Sequence, residues 1–217
     1  SRLHAAADEM LVDGEMGLEA DILRGAYLAV DEHLVGRRVQ AGTCAVQLYI
    51  IGERFLAANV GDSRVIIGTD RGTAVLTDDH KPDATAERFR IEALGGSVVT
   101  LGVPRVEGIL AISRALGDAC LKPYVSAEPR IAEGLLGSEN DVAVLACDGV
   151  WDVLSPGEVV DAARRGGTPV ESAEEISHTA LDRGSTDNIT VIVLNLRKYT
   201  SCLKNRKMVI RKVYDRA

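Results

Sequence analysis

Three strand-like segments separated by tight turns, at residues 43–51, 54–60 and 64–68, constrain the fold more than any other feature of this sequence. The first segment alternates between two sets of side chains, which is typical of a strand with one buried face. Gly52-Glu53 has the length of a hairpin turn, and Gly61-Asp62-Ser63 supplies the next reversal. Segments that reverse this quickly pair side by side, so we predict a meander of antiparallel strands.

Helix and strand signals share the rest of the chain. Residues 19–35 carry apolar side chains at steps of three and four, which predicts an amphipathic helix closed by Gly36. Residues 102–130 contain Gly and Pro without a steady period, so we predict an irregular surface segment there. The other predicted elements are helices at 84–94, after Ser155-Pro156 and after Thr168-Pro169, and strands at 142–147 and 189–196. Because no repeat or linker interrupts residues 1–196, we expect one α+β domain over that range.

Charge is distributed unevenly along the chain. Residues 197–217 hold eight basic residues and one acidic residue. The other 196 residues hold 17 basic and 31 acidic residues, a net charge of −14 against a total of −7. An acidic body disfavours nucleic-acid binding, which depends on neutralising phosphates, and suits the binding of cations. We interpret residues 197–217 as a basic tail, which either contacts an anionic membrane or a partner or stays solvated.

The cysteine spacing and the hydropathy of the chain bear on its compartment. Cys44, Cys120, Cys147 and Cys202 fall in no spacing that is typical of a metal or redox site, so we expect reduced thiols. No apolar run approaches the roughly 20 residues of a membrane span, and the start has no signal-peptide pattern. We therefore expect no transmembrane segment, a cytoplasmic or nuclear location, and a monomer.

Four aspartates, Asp62, Asp148, Asp152 and Asp187, each lie where a predicted strand gives way to a tight turn. Carboxylates that project from several strand ends converge at one edge of a sheet, and they repel one another unless a cation neutralises them. Hard oxygen ligands suit Mg²⁺ or Mn²⁺. Because Asp is also an ordinary turn residue, the spacing by itself leaves a metal site and a set of simple turns both open.

Seven segments, taken in order, resemble the motifs of the metal-dependent serine/threonine protein phosphatases of type 2C. They are residues 41–43, 59–64, 77–82, 95–98, 105–118, 146–154 and 184–191. The resemblance implies a four-layer αββα sandwich, in which helices flank two mostly antiparallel sheets and a two-metal centre lies at one end. It also implies phosphoprotein substrates and a water that Mg²⁺ or Mn²⁺ activates for attack on phosphorus.

The resemblance also implies roles for individual residues. Asp148 and Asp187 match the ligands of one core metal ion, and Asp62 and Asp152 match residues that, with Asp148, hold a weaker third ion. Residues 102–125 match a flap beside the site that governs substrate access.

Four further residues in the matching segments invite a catalytic interpretation, and we expect structural roles for all of them. We expect His80 to support the fold rather than to act as an acid or base. We expect Trp151 to pack in the core beside the metal loop. We expect Arg64 and Arg114 to form ion pairs rather than to contact phosphate.

One part of the family's site has no match in this sequence. The family carries an Arg that grips phosphate and an Asp-Gly-His-Gly-Gly motif whose Asp bridges both metals. The nearest segment, residues 12–17, has Glu15 in place of the His and lies too close to the helix at 19–35, so we interpret it as a loop. We therefore expect a domain without its N-terminal strands, no catalytic residue beyond the metal ligands, and little hydrolysis by this chain alone. The alternatives are a pseudophosphatase that acts as a regulatory or binding module, and an acidic cation-binding domain unrelated to the phosphatases.

Overall fold

Two antiparallel four-stranded sheets organise the part of the chain that the structure, a computed structural model, describes: residues 18–201 and 208–214. The strands are β1 (Gly42–Thr43), β2 (Ala45–Ile51), β3 (Arg54–Val60), β4 (Arg64–Thr69), β5 (Gly72–Val75), β6 (Val98–Leu101), β7 (Val103–Val106), β8 (Leu116–Gly117), β9 (Arg130–Leu135), β10 (Val142–Ala146), β11 (Val191–Asn195) and β12 (Val209–Tyr214). One sheet, the β10 sheet, has the order β11-β10-β4-β5, and the other, the β9 sheet, has the order β12-β9-β3-β2.

Helices cover the outer faces of both sheets and make the sandwich four layers thick. The helices are α1 (Leu18–Gly36), α2 (Thr85–Ala93), α3 (Asp148–Trp151), α4 (Pro156–Arg165), α5 (Pro169–Asp182) and α6 (Arg197–Thr200). Side chains alternate along β3, so Phe55 and Ala57 join the apolar cluster between the sheets while Leu56 and Ala58 join the cluster under α1. On the β10 sheet, Ile66 joins the cluster under α4 and α5. The predicted αββα sandwich of antiparallel sheets is confirmed.

The starts of α4 and α5 follow the capping residues in the sequence. The Ser155 hydroxyl accepts a hydrogen bond from the Glu158 amide at 3.3 Å, and the Glu158 carboxylate accepts one from the Ser155 amide at 2.9 Å. Thr168 and Glu171 form the same reciprocal pair, and a proline follows the cap in both helices. Because these bonds satisfy amides that the helix cannot pair, the helices predicted at these two sites are confirmed.

Residues 102–130 are more ordered than the sequence predicted. β7 pairs with β6 in a hairpin, and β8 pairs with β1. Behind these strands, Val106, Ala115, Leu121 and Val125 form a buried cluster with Ile91 of α2. The prediction of an irregular surface segment is therefore wrong for the residues in this cluster. The short strands here are held by contacts between distant segments, and such contacts leave no periodic pattern in the sequence.

The basic segment 197–217 contributes two elements to the fold. In α6 the Thr200 hydroxyl is buried and donates to the Asn140 carbonyl at 2.9 Å. Further on, β12 pairs with β9 in antiparallel register, with Val209 opposite Leu135. The prediction of a tail beyond the domain is therefore wrong for these residues. An edge strand gains its backbone hydrogen bonds whatever the charge of its side chains, and basic residues are common on such edges.

Three sequence predictions concern thiols, membranes and the first residues. Cys44, Cys120 and Cys147 are free thiols, and Cys202 lies outside the described residues. Among the described residues, no helix is long and apolar enough to cross a membrane. Residues 12–17, interpreted from the sequence as a loop, also lie outside the described part.

Candidate metal centre

An open cavity of about 570 Å³ lies at one end of the sandwich, between the ends of the sheets and the flap. Three of the predicted aspartates, Asp62, Asp148 and Asp152, line it. The rest of its described lining consists of Cys44, Lys81, Pro82 and Asp83, and of Val103, Pro104, Leu110, Ala111 and Ile112 from the flap. The cavity therefore combines an acidic side with an apolar side.

The register of the β10 sheet brings Asp62 and Asp148 to the same place. β4 and β10 are antiparallel, and Arg64 lies opposite Ala146 at the end of the ladder. Asp62 precedes Arg64 by two residues and Asp148 follows Ala146 by two, so both aspartates lie just beyond the same end of this pair of strands. The pairing of β4 with β10 thus brings both residues to the cavity.

Asp62 lies in the tight turn between β3 and β4, with its side chain 5% exposed. Its Oδ2 accepts a hydrogen bond from Lys81 Nζ, and its Oδ1 accepts one from Cys44 Sγ at 3.4 Å. Gly61 has a φ of 92°, and a Cβ there would lie 2.2 Å from Cys44 Sγ. Only glycine therefore allows the turn to bring Asp62 so close to the thiol.

The segment that follows β5 returns to this turn and supports it. The fully buried Asn59 side chain donates to the carbonyls of Gly61 and Asp78 at 3.1 and 2.8 Å. His80 Nδ1 lies within hydrogen-bond distance of both the amide and the carbonyl of Gly61, at 3.1 and 3.0 Å. Burial, and then the charge of Arg114, lower the pKa of His80 to about 4. The imidazole is therefore neutral near pH 7 and holds the turn, which agrees with the structural role predicted for it.

Asp148 begins α3 immediately after β10, and Asp152 follows it one helical turn later. The Gly149 amide donates to Asp148 Oδ1 at 3.0 Å, and the Asp152 amide donates to the Asp148 carbonyl at 2.9 Å. Asp148 is half-buried and Asp152 is exposed. Trp151 is buried and donates from its indole nitrogen to the Ala146 carbonyl at 2.7 Å, so it packs in the core as predicted.

Asp187 lies on an exposed loop that is tied to the start of α3. Cys147 Sγ donates to the Asn188 carbonyl at 3.0 Å, and the Ser185 hydroxyl donates to the Gly149 carbonyl at 2.6 Å. A Cβ on Gly149 would lie 2.3 Å from the Asn188 carbonyl oxygen, so the loop approaches this closely only over glycine. The loop holds Asp187 near Asp148, although Asp187 is not among the residues that line the cavity.

The four aspartates form one electrostatic cluster. Partial burial, and then the charges of Asp62, Asp187 and Asp152, raise the pKa of Asp148. Such mutual repulsion between hard carboxylate ligands fits a divalent cation of the Mg²⁺ or Mn²⁺ type. In the side-chain positions of the described residues, no group of three or more His, Cys, Asp or Glu side chains is arranged so that it could hold a metal ion.

Arg64 and Arg114, the two arginines considered in the matching segments, form ion pairs and are not among the described residues that line the cavity. Arg64 makes two hydrogen bonds to Asp79, at 2.6 and 2.7 Å, and its guanidinium lies 5.5 Å from the centre of the Trp151 ring. Arg114 pairs with the buried Glu87. Both form the ion pairs that the sequence predicted. Lys81 is the single basic side chain among the described residues that line the cavity, and sequence reasoning assigned it no role although it follows His80 directly.

Comparison with known proteins gives one consistent result. Residues 2–189 match the protein phosphatase 2C family. Over 184 residues the chain is 42% identical to probable protein phosphatase 2C 71 of Arabidopsis thaliana, covering 83% of this chain and 41% of that protein. Over 172 residues it is 44% identical to probable protein phosphatase 2C 45 of Oryza sativa subsp. japonica, covering 78% of this chain and 61% of that protein. The structure of a C. elegans sex determining protein is also similar, with a TM-score of 0.81 and 28% identity over 94% of this chain and 54% of the other. The chain spans about half the length of the curated relatives it matches.

Proposed function

The chain belongs to the protein phosphatase 2C family, and from that premise we propose that it supplies ligands to a divalent-cation site for hydrolysis of phosphoserine and phosphothreonine in proteins. One observation carries the proposal: Asp62, Asp148 and Asp152 meet at one cavity, with Asp187 near enough to raise the pKa of Asp148. The relatives named as probable protein phosphatases support the same class of reaction.

The proposed ligand assignment follows the resemblance in the motifs. We assign Asp148 and Asp187 to one core Mg²⁺ or Mn²⁺ ion, and Asp62 and Asp152, with Asp148, to a weaker third ion. When bound, such ions supply an activated water and offset the charge on the phosphoryl oxygens. The chain's own contribution is to orient the ligands: the Gly149 amide fixes one oxygen of Asp148, and the Cys44 thiol fixes one oxygen of Asp62.

The flap supplies the apolar side of the cavity. Val103, Leu110 and Ile112 place apolar side chains opposite the aspartates. Apolar walls exclude water and strengthen electrostatic interactions inside the cavity. We infer that this wall contacts the protein part of a phosphoprotein substrate, while the phosphoryl group faces the acidic side.

The cation site is tested by a titration with Mn²⁺, in which isothermal calorimetry measures the binding. We expect Asp148→Asn to lose most of the binding, because Asp148 is the ligand that both assigned ions share. Asp83→Asn is the matched control, since Asp83 lines the same cavity and the substitution removes the same charge. Equal loss in the two variants would show that binding depends on the overall charge of the cavity, and it would contradict the assignment.

We further propose that this chain, assayed by itself, binds Mn²⁺ but releases little phosphate, because none of its residues matches the family's metal-bridging Asp. Release of phosphate from a phosphothreonine peptide, with and without Mn²⁺, measures this directly. Rapid Mn²⁺-dependent release by the pure chain would contradict it. Retention of the intact phosphopeptide without turnover would favour the pseudophosphatase alternative.

A further inference from the structure

Lys81 and Asp62 form an ion pair inside the cavity, with Lys81 Nζ donating to Asp62 Oδ2. The Asp62 side chain is 5% exposed, whereas the Lys81 side chain is 39% exposed. A positive partner offsets the cost of burying a carboxylate, and Lys81 is that partner here. We propose that Lys81 is an internal counter-ion that a divalent cation displaces from Asp62, so that Lys81 sets the affinity of the cation site. The inference rests on the proposed function, because it concerns the same ligand set.

The geometry of the pair allows Lys81 to leave. An ammonium group on a flexible stem makes a single contact with the carboxylate, and its exposed portion gives it a direct route to water. The neighbouring pair between Arg64 and Asp79 differs, because two parallel hydrogen bonds hold that guanidinium in place. Asp62 keeps its second contact, from Cys44 Sγ to Oδ1, when Oδ2 is released.

Lys81 opposes cation binding in two ways that act in the same direction. It occupies the Asp62 oxygen that faces it, and its positive charge repels an incoming cation across a cavity that water only partly screens. Without Lys81 the described lining of the cavity carries four aspartates, Asp62, Asp83, Asp148 and Asp152, and no basic residue. The arrangement also fits the finding that no three carboxylates stand ready as a metal-binding set in the described residues.

Lys81→Met tests the proposal, because methionine keeps an unbranched apolar side chain of nearly the same length while removing the charge. We expect Lys81→Met to bind Mn²⁺ about tenfold more tightly than the wild type, the size of effect that one charge-assisted hydrogen bond produces. The measurement is a titration with the Mn²⁺ ion alone, in which electron paramagnetic resonance reports the free ion. Equal or weaker binding by Lys81→Met would overturn the proposal.

Two further variants keep the result interpretable. Lys122→Met is the matched control, because Lys122 forms a comparable half-buried pair with Asp31 at 2.9 Å but does not line the cavity. We expect its Mn²⁺ affinity to equal that of the wild type. Lys81→Arg keeps the charge and adds a second N–H for Asp62, so we expect binding no tighter than in the wild type. Tighter binding by either variant would count against the proposal.

Thermal melting gives a second readout that does not depend on catalysis. Without cation, Lys81→Met leaves Asp62 buried without its partner, so we expect a lower melting temperature than in the wild type. Mn²⁺ then raises the melting temperature of Lys81→Met more than that of the wild type, since stabilisation of the folded state by a ligand grows with the logarithm of its affinity. Equal Mn²⁺-induced shifts would overturn only the role of Lys81. If neither protein binds Mn²⁺, the cation site and this inference are both wrong.

Discussion

Glu87 is a buried carboxylate that joins two parts of the fold outside the cavity, and its replacement by glutamine is a quantitative test of the structure. It lies on α2 and accepts hydrogen bonds from Arg90 at 2.9 Å and from Arg114 Nε at 3.0 Å. The same two arginines donate to the carbonyls of Ser113 and Glu128, each at 2.9 Å. Glu87 therefore holds the two guanidinium groups that connect α2 to the segment around β8 and β9.

The size of the effect follows from the pKa of Glu87. Burial by itself would raise the pKa, but the hydrogen bonds and charge of Arg114, and then of Arg90, outweigh it and lower the pKa from 4.5 to about 2. Each pKa unit corresponds to about 1.4 kcal/mol, so the ionised carboxylate contributes about 3 kcal/mol to the free energy of unfolding at pH 7. We expect Glu87→Gln to lower the free energy of unfolding by about that amount.

The pH dependence has a definite sign. A carboxyl whose pKa is lowered in the folded state contributes its full stabilisation above its unfolded pKa and loses it as the pH falls toward the folded pKa. The difference between wild type and Glu87→Gln should therefore be constant above about pH 5 and shrink by roughly 1–1.5 kcal/mol by pH 3.5. Urea denaturation of both proteins at pH 7, 5 and 3.5 measures this difference in the free energy of unfolding.

A matched control for this test lies on the same helix. Glu92 forms an exposed pair with Arg88 at 3.6 Å, and exposed pairs contribute little, so Glu92→Gln should change the free energy of unfolding by less than about 0.5 kcal/mol. A Glu87→Gln cost as small as that of Glu92→Gln, or a cost that is the same at all three pH values, would refute the reasoning.

Two other substitutions test the loop beside Asp148 and the start of α4. Gly149→Ala places a Cβ 2.3 Å from the Asn188 carbonyl oxygen, so the loop must shift and Mn²⁺ binding, measured by titration, should weaken by roughly tenfold. Gly157→Ala, where nothing lies within 4 Å of the new Cβ, is the control and should leave that affinity unchanged. Ser155→Ala removes the cap that accepts the Glu158 amide and should cost about 1 kcal/mol in urea denaturation, and an unchanged urea midpoint would contradict that role.

Local patterns predicted the elements that are held by local contacts. β2 follows from alternation, the β2–β3 hairpin follows from its turn, and α4 and α5 follow from residues within one turn of their first residue. The predicted meander is wrong between β3 and β4, because the turn at Gly61-Asp62-Ser63 carries the chain from the β9 sheet to the β10 sheet instead of pairing the two strands. β12 was missed because its partner, β9, lies more than 70 residues earlier in the chain. The buried cluster of the flap was missed for the same reason, since Ile91 meets Val125 only after the chain folds back.

The residues of the candidate site also differ in how far the sequence could predict them. The four aspartates were singled out by their positions after predicted strands, and the resemblance to a known family then implied a metal-binding role for them. The pairing of Lys81 with Asp62 was not predicted, because it depends on the return of the chain after β5 to the turn between β3 and β4. Nothing in the spacing of 19 residues between them indicates contact.

The register of β4 against β10 connects the core of the protein to the proposed chemistry. Val65 of β4 lies opposite Leu145 of β10, and both side chains join the cluster between the sheets. Because side chains alternate along a strand, a slip of β4 by one residue would move Val65 out of that cluster and would shift Asp62 by one position relative to Asp148. The apolar packing that selects this register therefore also selects the juxtaposition of the two aspartates. The position of the candidate metal centre is thus a consequence of how the sandwich packs, whereas its affinity is set by the charges, including Lys81, that the connecting segments bring to it.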